Sequence, residues 1–216
     1  LIHAVQGIMV VQSDAGRWIV PPTRAIWMPA GQVHMIRCID ALHMRSLFVR
    51  PDAMPGLPDT PQTVAISPLL REMINVAVDV PHPYAPDSAD ARLMRCMLDQ
   101  LQTLPVLPLH LPQPTDARLQ RICRQLQQSP DDTSTLGDWA GRLGIDVKTI
   151  QRLFARETRM TFGQWRQQAR LLDGLERLAR GDKVVDIAFA LGYDTPSAFT
   201  AMFKRQFGLP PSRFYR

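Results

Sequence analysis

Cysteine is scarce in this chain. The three present, Cys38, Cys96 and Cys123, are odd in number and fall in no CxxC or CxxH spacing. That pattern excludes a disulfide framework and a zinc site, and it predicts reduced, mostly buried thiols in a cytoplasmic protein. No uninterrupted apolar run reaches the ~18 residues of a membrane span. No Ser-His-Asp arrangement, Walker loop or GxGxxG turn is present, so the common nucleophilic and nucleotide-binding signatures are missing. No leader segment is visible. Because the chain opens on Leu1 rather than Met, residues are expected upstream, and the missing leader carries little weight.

Charge is unevenly placed. Residues 1–115 hold 8 Lys+Arg against 9 Asp+Glu, whereas residues 116–216 hold 17 against 11. A neutral half joined to a basic half suggests that the second half meets a polyanion. Most of the basic residues are Arg, which suits two-pronged contacts to phosphate and guanine. A merely solubilising surface is the competing reading.

Proline and glycine punctuate the first half. LIHAVQGIMVVQS, RWIVP, AIWMP, VHMIRCI and LHMRSLFVRP read as short strands, with turns at SDAG and PAGQ. Turn signals at this spacing predict a small antiparallel barrel or sandwich. PDAMPGLPDTPQ (51–62) reads as a loop, followed by helices over 68–78 and 88–104. The second helix carries Leu93, Cys96, Met97 and Leu101 on one stripe. That stripe either packs on its own barrel or is buried against a symmetry mate. LPVLPLHLPQP (104–114) holds four prolines and neither a helix nor a strand pattern. It predicts a stiff linker, 104–115, between domains 1–103 and 116–216.

The second half repeats itself. TIQRLFARET (149–158) and AFTAMFKRQF (198–207) both read as short helices with an aliphatic-plus-Phe stripe and basic residues. Thr135 with Asp138 signals a helix start, Gly144 its end, and Asp146 the start of the next helix, 147–157. In the second copy Asp182 precedes a helix that ends near Leu191 at Gly192. Thr195 then caps a helix with Pro196 in its first turn, where proline costs least. Ala140 and Ala188 each stand four positions before the glycine, small enough for two helices to cross closely. Glycine at the turn tolerates a positive φ. Helix, glycine turn, helix is a helix-turn-helix pattern, and here it occurs in tandem.

Faces and spacing give the pattern a use. In the first repeat Ile150, Leu153 and Phe154 form a core stripe opposite Lys148, Gln151, Arg152 and Ala155. In the second, Phe199, Met202, Phe203 and Phe207 face inward, and Ser197, Thr200, Ala201 and Lys204 face outward. Gln and Arg are the side chains that pair in two-pronged fashion with adenine and guanine edges. Between the repeats, Thr161 and Gln164 form a capping box at the start of a helix of ~30 Å over 161–180. Successive major-groove faces of B-DNA lie ~34 Å apart, so one rigid helix can hold two reading heads a DNA turn apart.

At these residues the chain resembles the AraC/XylS family of bacterial transcription regulators. The resemblance rests on QRLFARET, an Arg in the connecting helix, and DIAFALGYDTPSAFTAMFKRQFGLPPSRFYR. It covers 116–216 and implies binding to double-stranded promoter DNA. By alignment it places base contacts at Lys148, Gln151 and Arg152, and at Pro196, Ser197, Thr200 and Ala201. Lys204 and Arg205 are assigned to phosphates, and Thr149, Arg156 and Thr195 complete the DNA-binding set. Pro196 and Ala201 depart from more polar relatives, which shifts the second unit toward thymine methyl contacts and shape.

The first half resembles the cupin-like sensor domain of the same family. PAGQVH (29–34) fits the second cupin motif, PxGxxH, and Gly7 fits a strand-turn glycine. The glycine expected six residues before Pro29 is Thr23. The first motif, with its paired His and a Glu, is missing, and the chain opens in what reads as mid-barrel. His34 is either a turn histidine bonded to backbone or a metal or effector ligand. One His cannot make a site of ~3–4 protein ligands, so no metal and no cofactor are assigned. Trp18, Trp27, His34, Met35 and Met44 are the candidate effector-binding set, for a small apolar or aromatic molecule.

The expected architecture is therefore α+β: a cupin-like antiparallel β-barrel with two helices, then an all-α domain with two helix-turn-helix units on a long helix. The expected function is a sequence-specific, effector-controlled transcription regulator that is not an enzyme. A homodimer is expected, with RNA polymerase as a further partner and no membrane. The alternative is a cupin metalloenzyme with a DNA-binding tail.

Overall fold

A computed structural model describes residues 1–22 and 24–214, so Thr23 and the closing Tyr215 and Arg216 of the quoted motif lie outside the described residues. The chain forms two units. One comprises Leu1–Ser13 with Trp18–His110, the other Asp14–Arg17 with Leu111–Arg216.

The first unit holds most of a nearly closed antiparallel sheet. Strands β1 (Ile2–Ser13), β2 (Gly16–Val20), β3 (Arg24–Trp27), β4 (Met35–Ser46), β5 (Gln62–Ala65) and β6 (His110–Pro112) take the order β5-β3-β1-β2-β6, with β4 also paired to β1. The two stretches predicted on either side of Asp40 are one continuous strand, β4. Gly7 lies inside β1 rather than at a turn. The β1–β4 register slips between Ala4 and Ile8, and Gly7 has φ 77° with a hypothetical Cβ only 2.3 Å from the Ala41 carbonyl oxygen. Such a bulge needs glycine at its left-handed residue. It also switches which side chains face inward, so Ala4 before it and Met9 and Val11 after it share one cluster.

Two layers of core follow from strand alternation. Ala4, Met9, Val11, Trp18, Val20 and Ile26 pack on one face of the sheet. Ala25, Trp27 and Val64, on the other face, pack against helices α1 (Pro68–Ala77) and α2 (Ala89–Gln102). Ser67 and Ser88 cap these helices, accepting from the Leu70 and Ala91 amides at 3.1 Å each.

Gln62, expected at the end of the loop, and the unassigned residues 63–65 form a strand pairing antiparallel with β3; four residues are too few for alternation to show. The segment 104–114, expected to carry neither helix nor strand, holds a bridge and a short strand. Leu109 and Leu111 are fully buried, Val106 bridges Val64, and His110–Pro112 forms β6 at the end of the strand order, where proline is tolerated. Cys38 and Cys96 are exposed, and only Cys123 is buried. The α2 stripe is internal: Met97 and Leu101 belong to the core of their own unit, with Leu93 packed against it.

The second unit is all helix apart from its lead-in: α3 (Ala117–Gln128), α4 (Leu136–Leu143), α5 (Val147–Thr158), α6 (Phe162–Ala179), α7 (Val184–Ala190) and α8 (Pro196–Phe207), closed by the short 3-10 turn Pro211–Arg213. Trp165 on α6 is fully buried and donates from Nε1 to the Pro112 carbonyl at 2.9 Å. Among the described residues no helix is long and apolar enough to cross a membrane.

Candidate nucleic-acid interface

The two helix pairs close with the same hydrogen bonds. After α4 the Ile145 amide reaches back to the Ala140 carbonyl at 3.1 Å, and Gly144 sits at φ 63°. After α7 the Tyr193 amide reaches the Ala188 carbonyl at 3.0 Å, and Gly192 sits at φ 73°. This six-residue closure with a left-handed glycine turns the chain into the next helix. The predicted caps form as well. Thr135 and Asp138 exchange a full capping box, Asp146 accepts from the Lys148 amide at 2.9 Å, and Thr195 accepts from the Ala198 amide at 3.1 Å. At α7 the cap residue is Lys183, one past Asp182, and it makes no side-chain cap bond.

Each second helix presents a buried and an open face. On α5, Ile150, Leu153 and Phe154 are buried, while Lys148, Gln151, Arg152, Ala155 and Arg156 are exposed and Thr149 is half-buried. On α8, Phe199, Met202 and Phe203 are buried and Phe207 is partly so. Thr195, Ser197, Ala201, Lys204 and Arg205 are exposed, with Pro196 and Thr200 half-buried. Aromatic contacts lock the α8 core: Phe203 meets Phe199, Phe207 and Phe214 at centroid distances of 5.7, 4.7 and 5.3 Å.

α6 carries both pairs, opening with a capping box between Thr161 and Gln164 and running 18 residues, about 27 Å. Its arginines tie the pairs together. Arg170 donates to the Pro130 and Asp132 carbonyls at 2.6 and 3.2 Å, and its guanidinium lies 5.9 Å from the Tyr193 ring centre. Burial, then the neighbouring Arg166, holds the Arg170 pKa below its ordinary value, and burial raises that of Tyr193. Arg166 donates to the Ser134 carbonyl at 3.1 Å and lies over the Phe162 ring. At the other end, the Glu157 carboxylate accepts from the Thr115 and Asp116 amides, both at 2.9 Å, pinning the end of α5 to the start of α3. The family resemblance specifies only one Arg in this helix, without its position. The i, i+3, i+4, i+7 spacing of Gly163, Arg166, Gln167 and Arg170 was the readable signal for a shared face.

The candidate effector set separates. A cleft of about 690 Å³ in the first unit is lined by Trp27 and His34, together with Ile36, Phe48 and Pro58. The Trp27 indole donates to the Pro58 carbonyl at 2.8 Å. His34 is exposed, with Nδ1 2.9 Å from the Gln32 carbonyl oxygen, the backbone-bonded turn histidine. Trp18, buried on the opposite face of the sheet, stacks on His110 at 4.5 Å. Met35 and Met44 are exposed outside the cleft. Among the described residues no group of three or more His, Cys, Asp or Glu is placed to hold a metal ion.

Two helix-turn-helix pairs on one connecting helix, following a barrel-like sheet in the chain, define a helix-turn-helix DNA-binding regulator. Comparison with known proteins agrees. Residues 139–216 match a helix-turn-helix domain family. The chain is 33% identical over 214 residues to the HTH-type transcriptional regulator NimR of Escherichia coli K12, covering 99% of this chain and 78% of that protein. It is 30% identical over 122 residues to the HTH-type transcriptional regulator RipA of Corynebacterium glutamicum, covering 56% of this chain and 35% of RipA. Among solved structures, the C-terminal domain of AraT from Geobacillus stearothermophilus aligns at TM-score 0.43 and 23% identity, over 47% of this chain and 85% of that one. The chain belongs to the AraC/XylS family of transcription regulators.

Proposed function

We propose that this regulator reads promoter DNA with α5 and α8 in two consecutive major-groove segments. The observation that carries the reading is the exposed row Lys148, Gln151 and Arg152, held opposite a buried stripe on a helix capped at its start by Asp146 and ended by a left-handed Arg159. Gln and Arg are the two-pronged base readers, and a preformed helix presents them without a backbone ordering cost. On α8, Ser197 and Thr200 supply polar contacts, while Pro196 and Ala201 offer only apolar contact and shape. Thr149, Arg156, Thr195, Lys204 and Arg205 are assigned to the backbone.

The barrel cleft is proposed to bind a small, largely apolar or aromatic molecule, with Trp27 and His34 on its wall. Trp18, Met35 and Met44 drop out of that assignment on their positions. Bound effector can shift DNA binding only by its differential affinity for the two states, typically ~1–3 kcal/mol. A homodimer on DNA and contact with RNA polymerase belong to the same proposal, and sedimentation tests the first. No catalytic role is proposed. Stoichiometric iron or manganese in the purified protein would reopen the metalloenzyme alternative.

The test of the whole reading is selection of random duplexes on the purified protein. Enrichment of two short motifs about one helical turn (~10.5 bp) apart supports it. A single motif, or none, sinks the two-headed reading.

A further inference from the structure

Residues of α6 and α8 line a basic groove. Gly163, Arg166, Gln167 and Arg170 recur at i, i+3, i+4 and i+7 along α6 and form one wall. Ala198, Ala201, Met202 and Arg205 recur at the same spacing along α8 and form the facing wall. Glycine and two alanines leave the groove open at about 350 Å³, and its lining carries three arginines and no carboxylate. Asp131 and Asp132 act on Arg170 from the α3–α4 loop behind it, where its guanidinium is held by backbone carbonyls. Arg205 on the opposite wall is exposed. Like charges gathered in one concavity repel unless an anion joins them. Arginine's fork also suits phosphate oxygens better than a point charge does.

We propose that this groove seats one phosphodiester of the DNA backbone, the one that passes between the two major-groove segments. The inference rests on the proposed two-headed reading. Ala201 connects the two: it stands in the outward row of α8 with Ser197 and Thr200, and also lines the groove. A duplex read by that row therefore brings its backbone across the groove mouth. Gln167, half-buried between Arg166 and Arg170, can donate its amide to a phosphate oxygen without adding charge.

The test uses the full chain and its selected duplex. Gln167→Glu places a carboxylate among the arginines. It is expected to lower affinity about tenfold on every sequence alike, flatten the salt slope by about one unit, and leave the selected motif unchanged. Independently, a methylphosphonate scan, which neutralises one phosphate at a time, is expected to find one central position that weakens wild-type binding about tenfold. The same substitution should not weaken Gln167→Glu further. A wild-type protein that selects its motif, while the scan and Gln167→Glu both change affinity less than twofold, overturns the groove assignment and leaves DNA reading standing. Failure to select any motif removes both. Inorganic phosphate that stabilises the DNA-free wild type at millimolar concentration, but not Gln167→Glu, would reassign the groove to a free anion.

Discussion

Gly192 approaches Asp131 so closely that a Cβ at position 192 would stand 2.8 Å from the Asp131 Cα. The turn of the second helix pair is thus pressed onto the loop that leads into the first, and Arg170 clasps that same loop through Pro130. Gly144, at the matching turn of the first pair, has nothing within 4 Å of such a Cβ.

This asymmetry gives a paired stability prediction. Gly144→Ala should cost about 1–2 kcal/mol, the left-handed backbone penalty alone. Gly192→Ala should cost about 2–5 kcal/mol, because the loop must also move. Thermal or urea unfolding of the two variants side by side checks this, and equal losses would show that the close approach costs nothing.

Base reading and backbone contact separate in the next pair. Arg152→Ala should lose about 1–3 kcal/mol on the specific site and flatten preference at one or two base pairs. Lys204→Ala should weaken all sequences similarly and lower the salt slope by about one unit. Binding selections and salt titrations read both, and an unchanged motif in Arg152→Ala would remove α5 as a base reader.

Acid should loosen the α3–α5 junction. Hydrogen bonds from the Asp116 amide, then Arg156 and Thr115, hold the Glu157 carboxyl below its ordinary value of 4.5. A depressed carboxylate contributes stability that is present above the unfolded pKa and is lost as pH falls through the folded one. Glu157→Gln should therefore lose about 1–3 kcal/mol at pH 7 and show a shallower fall in stability below pH 4.5 than the wild type. Parallel slopes in the two proteins would assign the acid sensitivity elsewhere.

Replacing Met97 and Leu101 by Glu should unfold the first unit rather than release a folded monomer. Both side chains are more than nine-tenths buried in its core, and two unpaired carboxylates there should cost well over ~3 kcal/mol. Circular dichroism and sedimentation together decide it. A folded monomer would mean that α2 is an interface after all.

Effector binding is tested by thermal shift with small aromatics. A ligand seated against Trp27 should stabilise the wild type and Trp18→Phe alike and Trp27→Ala less. Equal stabilisation of all three would move the pocket away from the Trp27 cleft.

The second unit was legible in the sequence down to individual caps, because caps and turns are local. Thr135–Asp138, Asp146, Thr161–Gln164 and Thr195–Ala198 bond across two or three residues, and each closing bond spans five. The apolar stripes of α5 and α8 follow from a period of 3.6 and needed no knowledge of what they pack against. The family resemblance rests on those same residues.

Tertiary structure decided what depends on partners far along the chain. β5 and β6 are too short to announce themselves and exist because β3 and β2 supply hydrogen-bonding edges. The α2 stripe could equally have been core or interface, since periodicity shows that a face is apolar and not what covers it. Trp18 and Trp27 look alike in sequence, yet strand register sends them to opposite faces of one sheet. Arg170 finds the Pro130 carbonyl across 40 residues. The sequence by itself determined the helices, their turns and the regulator they belong to, because those rest on contacts within a few residues. Only the folded chain determined the cleft, the groove and the buried stripe, because each is made by side chains that no local rule brings together.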